Sequence, residues 1–145
     1  MDERANMKQI LGATFIAVVL MPNLGEPALA QDRIVISSAW GEVTAELADN
    51  AAARALAAML PLTIEMDDHL RQEKTGDLPA ALPTAPRQRD FSAGTLGLWS
   101  SSDFVIYYRK GRVPQPGFVI LGQVQGDVSV FDRPGKVTVE VEKAR

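Results

Sequence analysis

The 145-residue sequence contains no cysteine and a single histidine, His69. No disulfide can therefore stabilise the fold, and the ligands on which zinc sites depend are missing. Glu65, Asp67 and Asp68 offer oxygen atoms to a harder cation, but the spacing of a calcium-binding loop is absent, and Asp68 is expected to point away from the other two on a strand. The sequence predicts no metal and no other cofactor.

Positive charge is also scarce, since 15 Lys and Arg residues face 18 Asp and Glu residues and the net charge is −3. A basic surface is the electrostatic requirement for binding nucleic acid. The sequence has only two small basic groups, one at residues 109–112 and one formed by Arg87 and Arg89. We predict that nucleic acid is not a partner.

A long hydrophobic run occurs near the N-terminus, where Ile10–Met21 is mostly apolar. Lys8 precedes it, and Ala28-Leu29-Ala30 places small residues where a signal peptidase cleaves. About twelve apolar residues are too few for a membrane span, which needs roughly twenty. We predict a signal peptide at residues 1–30, with translation starting at Met1 or Met7, and a periplasmic or secreted domain at residues 31–145. Cleavage after Ala30 changes the net charge from −3 to −2.

Residues 31–145 show mainly strand patterns, with one helix. Residues 42–48 alternate apolar and polar side chains, which is typical of a strand with one buried face. The alanine-rich segment Ala51–Leu60 predicts a helix, capped by Asp49 or Asn50 and ended by Pro61. The other predicted strands are Arg33–Ser38, Leu62–Arg71, Thr95–Trp99, Phe104–Tyr108, Phe118–Gln125, Val128–Phe131 and Lys136–Glu142. The predicted long loops are Thr75–Ala93, with a short strand near Leu78, and Gly111–Gly117.

Seven or eight strands and one early helix indicate a mainly β fold, either a barrel or a sandwich. Several segments, in this order, carry a more specific resemblance: Leu47-Ala48-Asp49-Asn50, Leu60-Pro61-Leu62, Gly76-Asp77-Leu78-Pro79, Gly94–Trp99, Phe104–Tyr108, residues 117–124 and the valine-rich end. Together they resemble the small bacterial cyclophilin-like proteins. This resemblance implies a closed antiparallel β-barrel with one short α-helix after the second strand, spanning residues 31–145.

The same resemblance raises prolyl isomerisation as an activity, which the residues do not favour. In true cyclophilins the strand after the first helix carries a Phe-His-Arg segment, whose arginine assists rotation, and a glycine-rich run follows. Here residues 62–69 place acids where that arginine would lie, and an ionised carboxylate cannot donate a hydrogen bond to the twisted prolyl amide. Arg71 can take that role only as a new site.

Other reactions lack their motifs. His69 with Ser100, Ser101 or Ser102 does not form a Gly-x-Ser-x-Gly nucleophile elbow, and residues 94–97 lack the spacing of a dinucleotide-binding fingerprint. We therefore predict no catalytic residues and a non-catalytic, exported binding domain. A divergent prolyl isomerase is the alternative, and an accessory subunit of another protein is a third hypothesis.

A binding surface is predicted where polar and aromatic residues meet. Because alternate strand residues share a face, Tyr107 and Tyr108 lie on opposite sides of the sheet, and we predict that one is exposed. The candidate residues for binding a peptide or a small ligand are Glu65, Asp67, His69, Arg71, Trp99, Tyr108 and Phe118. No sequence feature indicates an oligomeric state.

Overall fold

A computed structural model describes residues 14, 16, 17 and 32–145. The chain divides into two compact units, residues 1–30 and residues 31–145. The predicted signal peptide lies outside the described residues, except for Thr14, Ile16 and Ala17. No helix within the described residues is long and apolar enough to cross a membrane.

Residues 32–145 contain eleven strands, one α-helix and one short 3-10 helix. In chain order these are β1 (Arg33–Ser38), β2 (Gly41–Leu47), α1 (Ala51–Met59), β3 (Leu62–His69), β4 (Glu73–Asp77), β5 (Arg87–Gln88), β6 (Asp90–Phe91), β7 (Thr95–Trp99), β8 (Asp103–Tyr107), β9 (Gly111–Arg112), β10 (Phe118–Gln125), the 3-10 helix Ser129–Phe131 and β11 (Val137–Lys143).

Eight of these strands form a closed antiparallel barrel in the order β1, β2, β10, β7, β8, β4, β3 and β11. The barrel closes because β2 pairs with β10, with Leu47 opposite Gly122, and β1 pairs with β11, with Ile34 opposite Lys143. Closure pairs the strand edges that would otherwise invite aggregation. The predicted fold class, a mainly β closed antiparallel barrel with one helix after the second strand, is confirmed.

The main core fills the barrel because strand residues alternate between inside and outside. Ile34, Ile36, Val139 and Val141 are fully buried on β1 and β11, and each such side chain contributes roughly 1.5–3 kcal/mol to folding. Helix α1 adds its buried face to this core. Asn50 caps the helix by accepting a hydrogen bond from the Ala53 amide, and its side-chain amide donates to the Ile120 carbonyl of β10.

A second, smaller cluster of buried side chains lies on the opposite face of β8 and β10 from the main core. It consists of Phe91, Val105, Tyr107, Val113 and Phe118. The Phe91 ring stacks on the Tyr107 ring at a centroid distance of 3.9 Å. The two chain segments that carry β5 and β6, and β9, therefore cover part of the barrel's outer surface.

Four segments differ from their predicted structures. Val128–Phe131 is not a strand, since residues 129–131 form a 3-10 helix. The two predicted loops contain the short strands β5, β6 and β9, and the first of them also contains the end of β4. The strand predicted to reach Arg71 ends at His69, because Leu70 and Arg71 adopt positive φ angles of 53° and 52°. Alternation along the predicted strand Leu62–Arg71 places Leu70 on the core face with Ile64 and Met66, but its side chain is 74% exposed.

Candidate functional site

The outer face of β3 carries a row of polar side chains. Glu65 and Asp67 are exposed and His69 is half-buried, whereas the alternate residues Ile64 and Met66 are buried in the barrel. The alternation of β3 therefore places the three predicted residues on one side of the sheet, as the sequence indicated.

These residues line a groove that continues onto β4, β7 and β8. Its volume is about 280 Å³, and it is lined by Glu65, Asp67, His69, Thr75, Gly76, Asp77, Trp99 and Asp103. A second depression of about 600 Å³ shares Glu65, Asp67 and Asp77 with it and extends to Lys136, Val137 and Thr138 on and beside β11. We call the two together the acidic groove.

Four carboxylates dominate the charge of the acidic groove, those of Glu65, Asp67, Asp77 and Asp103. Asp77 and Asp103 lie opposite each other in the pairing of β4 with β8. Burial and the hydrogen bond and negative charge of Asp77 raise the pKa of Asp103 above its usual value. Lys136 forms an ion pair with Asp67, at an Nζ–Oδ1 distance of 3.4 Å, but its side chain is 86% exposed. The groove therefore attracts positively charged groups.

Gly76 sets how closely β4 approaches β3 within the groove. A Cβ atom at this position would lie 2.5 Å from the Glu65 carbonyl oxygen and 2.6 Å from Ile64 Cγ2. Such distances are well inside van der Waals contact, so a larger residue would push the two strands apart. The glycine thus keeps the Glu65 and Asp77 walls together.

His69 and Trp99 lie side by side in the groove, with ring centroids 5.7 Å apart in an edge-on arrangement. Each contacts a fully buried residue beneath. The Trp99 Nε1 donates a hydrogen bond of 2.7 Å to the Tyr107 hydroxyl, and the His69 Nε2 lies 3.8 Å from Glu73 Oε1. Glu73 is paired in register with both His69 and Tyr107.

Glu73 carries a fully buried carboxyl group. Its exposed fraction is 0%, and neither oxygen has a partner in the part of the chain that the structure describes. Burial raises the pKa of Glu73 to about 7, and the negative charge of Asp68 acts in the same direction. Gln72 and Tyr107 act to lower it, although neither reaches hydrogen-bonding geometry in the structure.

Alternation along the predicted strand Leu62–Arg71 places Arg71 on the same face as His69, but Arg71 belongs to a different cluster. Its guanidinium donates hydrogen bonds to the Tyr108 hydroxyl at 2.9 Å and to Asp132 Oδ1 at 3.0 Å. The turn at residues 70–71 redirects the chain, so the alternation of β3 does not extend to Arg71. This prediction of a shared face is wrong.

The cluster that contains Arg71 is built around buried Lys74, and we call Asp68, Arg71, Lys74, Tyr108 and Asp132 the Lys74 network. The Lys74 ammonium donates to Asp68 Oδ1 at 2.8 Å, to the Gly135 carbonyl at 3.0 Å and to the Arg133 carbonyl. Tyr108 donates a 2.6 Å hydrogen bond to Asp68. Burial acts to raise the pKa of Asp68, but the bonds from Lys74 and Tyr108 outweigh it and lower that pKa.

Two of the predicted aromatic residues are packed in the interior. Phe118 is fully buried in the second cluster, and Tyr108 is buried against the main core with its hydroxyl in the Lys74 network. Tyr107 and Tyr108 do face opposite sides of the sheet, but both are buried, so the prediction that one is exposed is wrong. Phe91 and Val113, from the segments before β7 and after β8, pack with Tyr107 in the second cluster. Of the predicted aromatics, Trp99 lines the groove.

The sequence interpretation missed Glu73 and Lys74. Both are fully buried, on opposite faces of β4. Period-two alternation continued backwards from Thr75 would have placed them on opposite faces, but their charge gave no sign of burial. Among residues 32–145 and the three other described positions, no cluster of three His, Cys, Asp or Glu side chains is arranged to hold a metal ion.

Comparisons with known proteins agree on the fold. A family model described as the cyclophilin-like family matches residues 36–142. The chain is similar to the solution structure of a hypothetical protein from Archaeoglobus fulgidus, with a TM-score of 0.64, 16% identity, and coverage of 83% of this chain and 99% of that one.

It is also similar to the crystal structure of a cyclophilin-type peptidyl-prolyl cis-trans isomerase from Cryptosporidium parvum. The TM-score is 0.56 at 16% identity, with 79% of this chain and 98% of that chain covered. No curated protein sequence gives a significant match. At this level of identity the structural likeness concerns the fold alone, whereas the family match spans nearly all of the barrel, and the chain therefore belongs to the cyclophilin-like family.

Proposed function

We propose that the barrel is a non-catalytic binding module that holds a basic segment of a polypeptide in the acidic groove. The observation that carries this proposal is the concentration of Glu65, Asp67, Asp77 and Asp103 around one groove whose lysine, Lys136, is exposed and already paired with Asp67. A ligand with several positive charges would gain Coulomb energy from all four carboxylates at once.

The shape and lining of the groove support an extended peptide as the ligand. The two joined depressions run from Trp99 on β7 to Thr138 on β11 and are open to solvent. The half-buried Trp99 ring offers a surface for the aliphatic stem or the cation of a Lys or Arg side chain, a contact worth about 0.5–1 kcal/mol at exposed sites.

The groove lining and the positions of Arg71 and Phe118 argue against prolyl isomerisation. The groove lining contains no arginine, and Arg71 is held by Tyr108 and Asp132 in the Lys74 network. Phe118 is fully buried in a packed cluster, so it offers no surface for a proline ring. The fold is the main support for the alternative, a divergent isomerase.

Peptide titration tests the binding proposal. We expect the acetylated and amidated peptide Lys-Ala-Lys-Ala-Lys to shift the backbone NMR signals of β3 and β4, while Glu-Ala-Glu-Ala-Glu leaves them unchanged. The double variant Glu65→Gln/Asp77→Asn should weaken binding about tenfold, since each lost charge pair contributes up to about 1 kcal/mol.

The variant Glu42→Gln/Glu46→Gln is the matched control, because it removes two carboxylates of β2 that lie outside the groove lining. Equal weakening in both variants would show that only overall charge matters and would contradict a specific groove.

A protease-coupled assay on a prolyl peptide tests the alternative function, and turnover that is lost in Arg71→Ala would favour the isomerase.

We also propose that the domain is exported. Support comes from the order of Lys8, the apolar run Ile10–Met21 and the small residues Ala28 and Ala30. Expression of the full chain in a bacterial host, followed by N-terminal sequencing of the periplasmic fraction, should give a mature protein that begins at Gln31. Recovery from the cytoplasm with Met1 or Met7 at the N-terminus would contradict export.

A further inference from the structure

We propose that Glu73 is a buried counter-charge beneath the acidic groove, and that a cationic group of the ligand binds in exchange for the proton that Glu73 holds. This inference rests on the proposed function, because it assumes a positively charged ligand. The exchange is balanced: the carboxylic acid becomes a carboxylate, the proton passes to solvent, and the ligand's positive charge replaces it.

The position of Glu73 is the first support for this inference. Its side chain has an exposed fraction of 0%, and its Oε1 lies 3.8 Å from the Nε2 of His69, whose side chain is 44% exposed and lines the groove. His69 therefore connects the groove lining, where a ligand would bind, with the buried carboxyl group.

The second support is that Glu73 lacks, among the described residues, the hydrogen bonds that stabilise a buried carboxylate. Buried carboxylates normally accept several hydrogen bonds, since an unsatisfied one loses its hydration without compensation. Both Glu73 oxygens are without a partner among the described residues. Such a group is stable as the neutral acid and becomes favourable as a carboxylate once a cation is brought beside it.

Charged and titratable neighbours of Glu73 come from both adjacent strands. From β3 these are His69, opposite it in register, and Asp68; from β8 it is Tyr107. The Tyr107 hydroxyl accepts the hydrogen bond from Trp99 and does not lie in hydrogen-bonding geometry to either Glu73 oxygen. Lys74 lies on the other face of β4, bound to Asp68. Asp68 opposes ionisation of Glu73, and a ligand cation in the groove would favour it.

Calorimetric titration tests the exchange. The Lys-Ala-Lys-Ala-Lys peptide is titrated into the protein at pH values from about 5.5 to about 8.5, in two buffers of different ionisation enthalpy. We expect release approaching one proton per peptide at the acid end, affinity that rises up to about tenfold per pH unit until near pH 7, and a plateau above.

Two variants identify the proton donor. In Glu73→Gln, which keeps the side-chain shape, proton release and the pH dependence of affinity should disappear, whereas His69→Gln should retain them. Wild-type proton release in Glu73→Gln, or its loss in His69→Gln, would overturn the inference while the groove proposal stands. No peptide binding to the wild-type protein at any pH would refute the groove proposal and this inference with it.

Discussion

Glu73 and Lys74 are neighbours on β4 and both have an exposed fraction of 0%, but they differ in their hydrogen bonding. Lys74 lies on the inner face opposite Asp68, and its ammonium has three acceptors. Glu73 lies on the outer face opposite His69, and neither of its oxygens has a hydrogen-bond partner among the described residues. A buried charge with all its hydrogen bonds satisfied contributes to structure, whereas a buried carboxyl group without them costs stability when it ionises.

The strongest test of this contrast is the substitution Lys74→Met. It removes the positive charge that compensates the Asp68 carboxylate, and with it the donor to the Gly135 and Arg133 carbonyls. Removing one partner of a buried ion pair costs about 3–5 kcal/mol, and we expect a fall of that size in the free energy of unfolding, measured by urea denaturation.

Lys136→Met is the control for this substitution. Lys136 also pairs with an aspartate of β3, at 3.4 Å, but its side chain is 86% exposed. Exposed pairs contribute about 0–1 kcal/mol, so the control should change stability little. A cost below about 1 kcal/mol for Lys74→Met would mean that the Lys74 network is not a structural centre.

The second test, Glu73→Gln, should change stability in the opposite direction. The folded-state pKa of Glu73 is about 7, against an ordinary value of 4.5, so the folded protein binds the proton more tightly than the unfolded chain. This contribution is fully present below about pH 4.5 and is lost as the pH rises through 7.

At roughly 1.4 kcal/mol per pKa unit, Glu73→Gln should gain about 3 kcal/mol relative to the wild type between pH 5 and pH 8. Thermal and urea unfolding of both proteins across this range measures the difference. Parallel stability profiles would show that folding does not raise the pKa of Glu73, and would remove the contrast with Lys74.

A smaller effect is expected for the hydrogen bond between Trp99, which lines the groove, and the buried Tyr107. Trp99→Phe keeps an aromatic ring but removes the Nε1 donor to the Tyr107 hydroxyl. A hydrogen bond of this kind contributes about 1 kcal/mol. A double-mutant cycle with Tyr107→Phe should give a coupling energy of that size in urea unfolding, and additive effects would show that the bond contributes nothing.

The barrel was predictable from the sequence because most of its strands alternate visibly and its helix is alanine-rich with Asn50 as the cap. Strand β4 was not, since it contains no apolar residue and its sequence, Glu-Lys-Thr-Gly-Asp, is typical of a loop. Its inner and outer faces are defined by partners far away in the chain. The acceptors of Lys74 include carbonyls 59 and 61 residues further on.

The candidate site was predictable only where one strand determines it. Alternation along β3 correctly grouped Glu65, Asp67 and His69, whereas Arg71 lies beyond a turn and joined another cluster. Tyr107 was correctly placed opposite Tyr108, but its burial depends on the covering segment with Phe91. Alternation gives the side of a strand and not what covers that side.

The smallest expected effect concerns the turn at residues 70–71, which connects β3 with β4. Leu70 and Arg71 have φ angles of 53° and 52°, as the two central residues of a type I′ hairpin turn require, and such angles are strained for leucine. Leu70 is also 74% exposed, so its side chain gains little from packing. Leu70→Asn should therefore raise the free energy of unfolding by about 0.5–1 kcal/mol, measured in urea, because asparagine tolerates this conformation better. Since the Leu70 side chain lies outside both the groove lining and the Lys74 network, peptide affinity should be unchanged. A loss of stability would show that the exposed leucine makes a contact that matters more than its backbone strain.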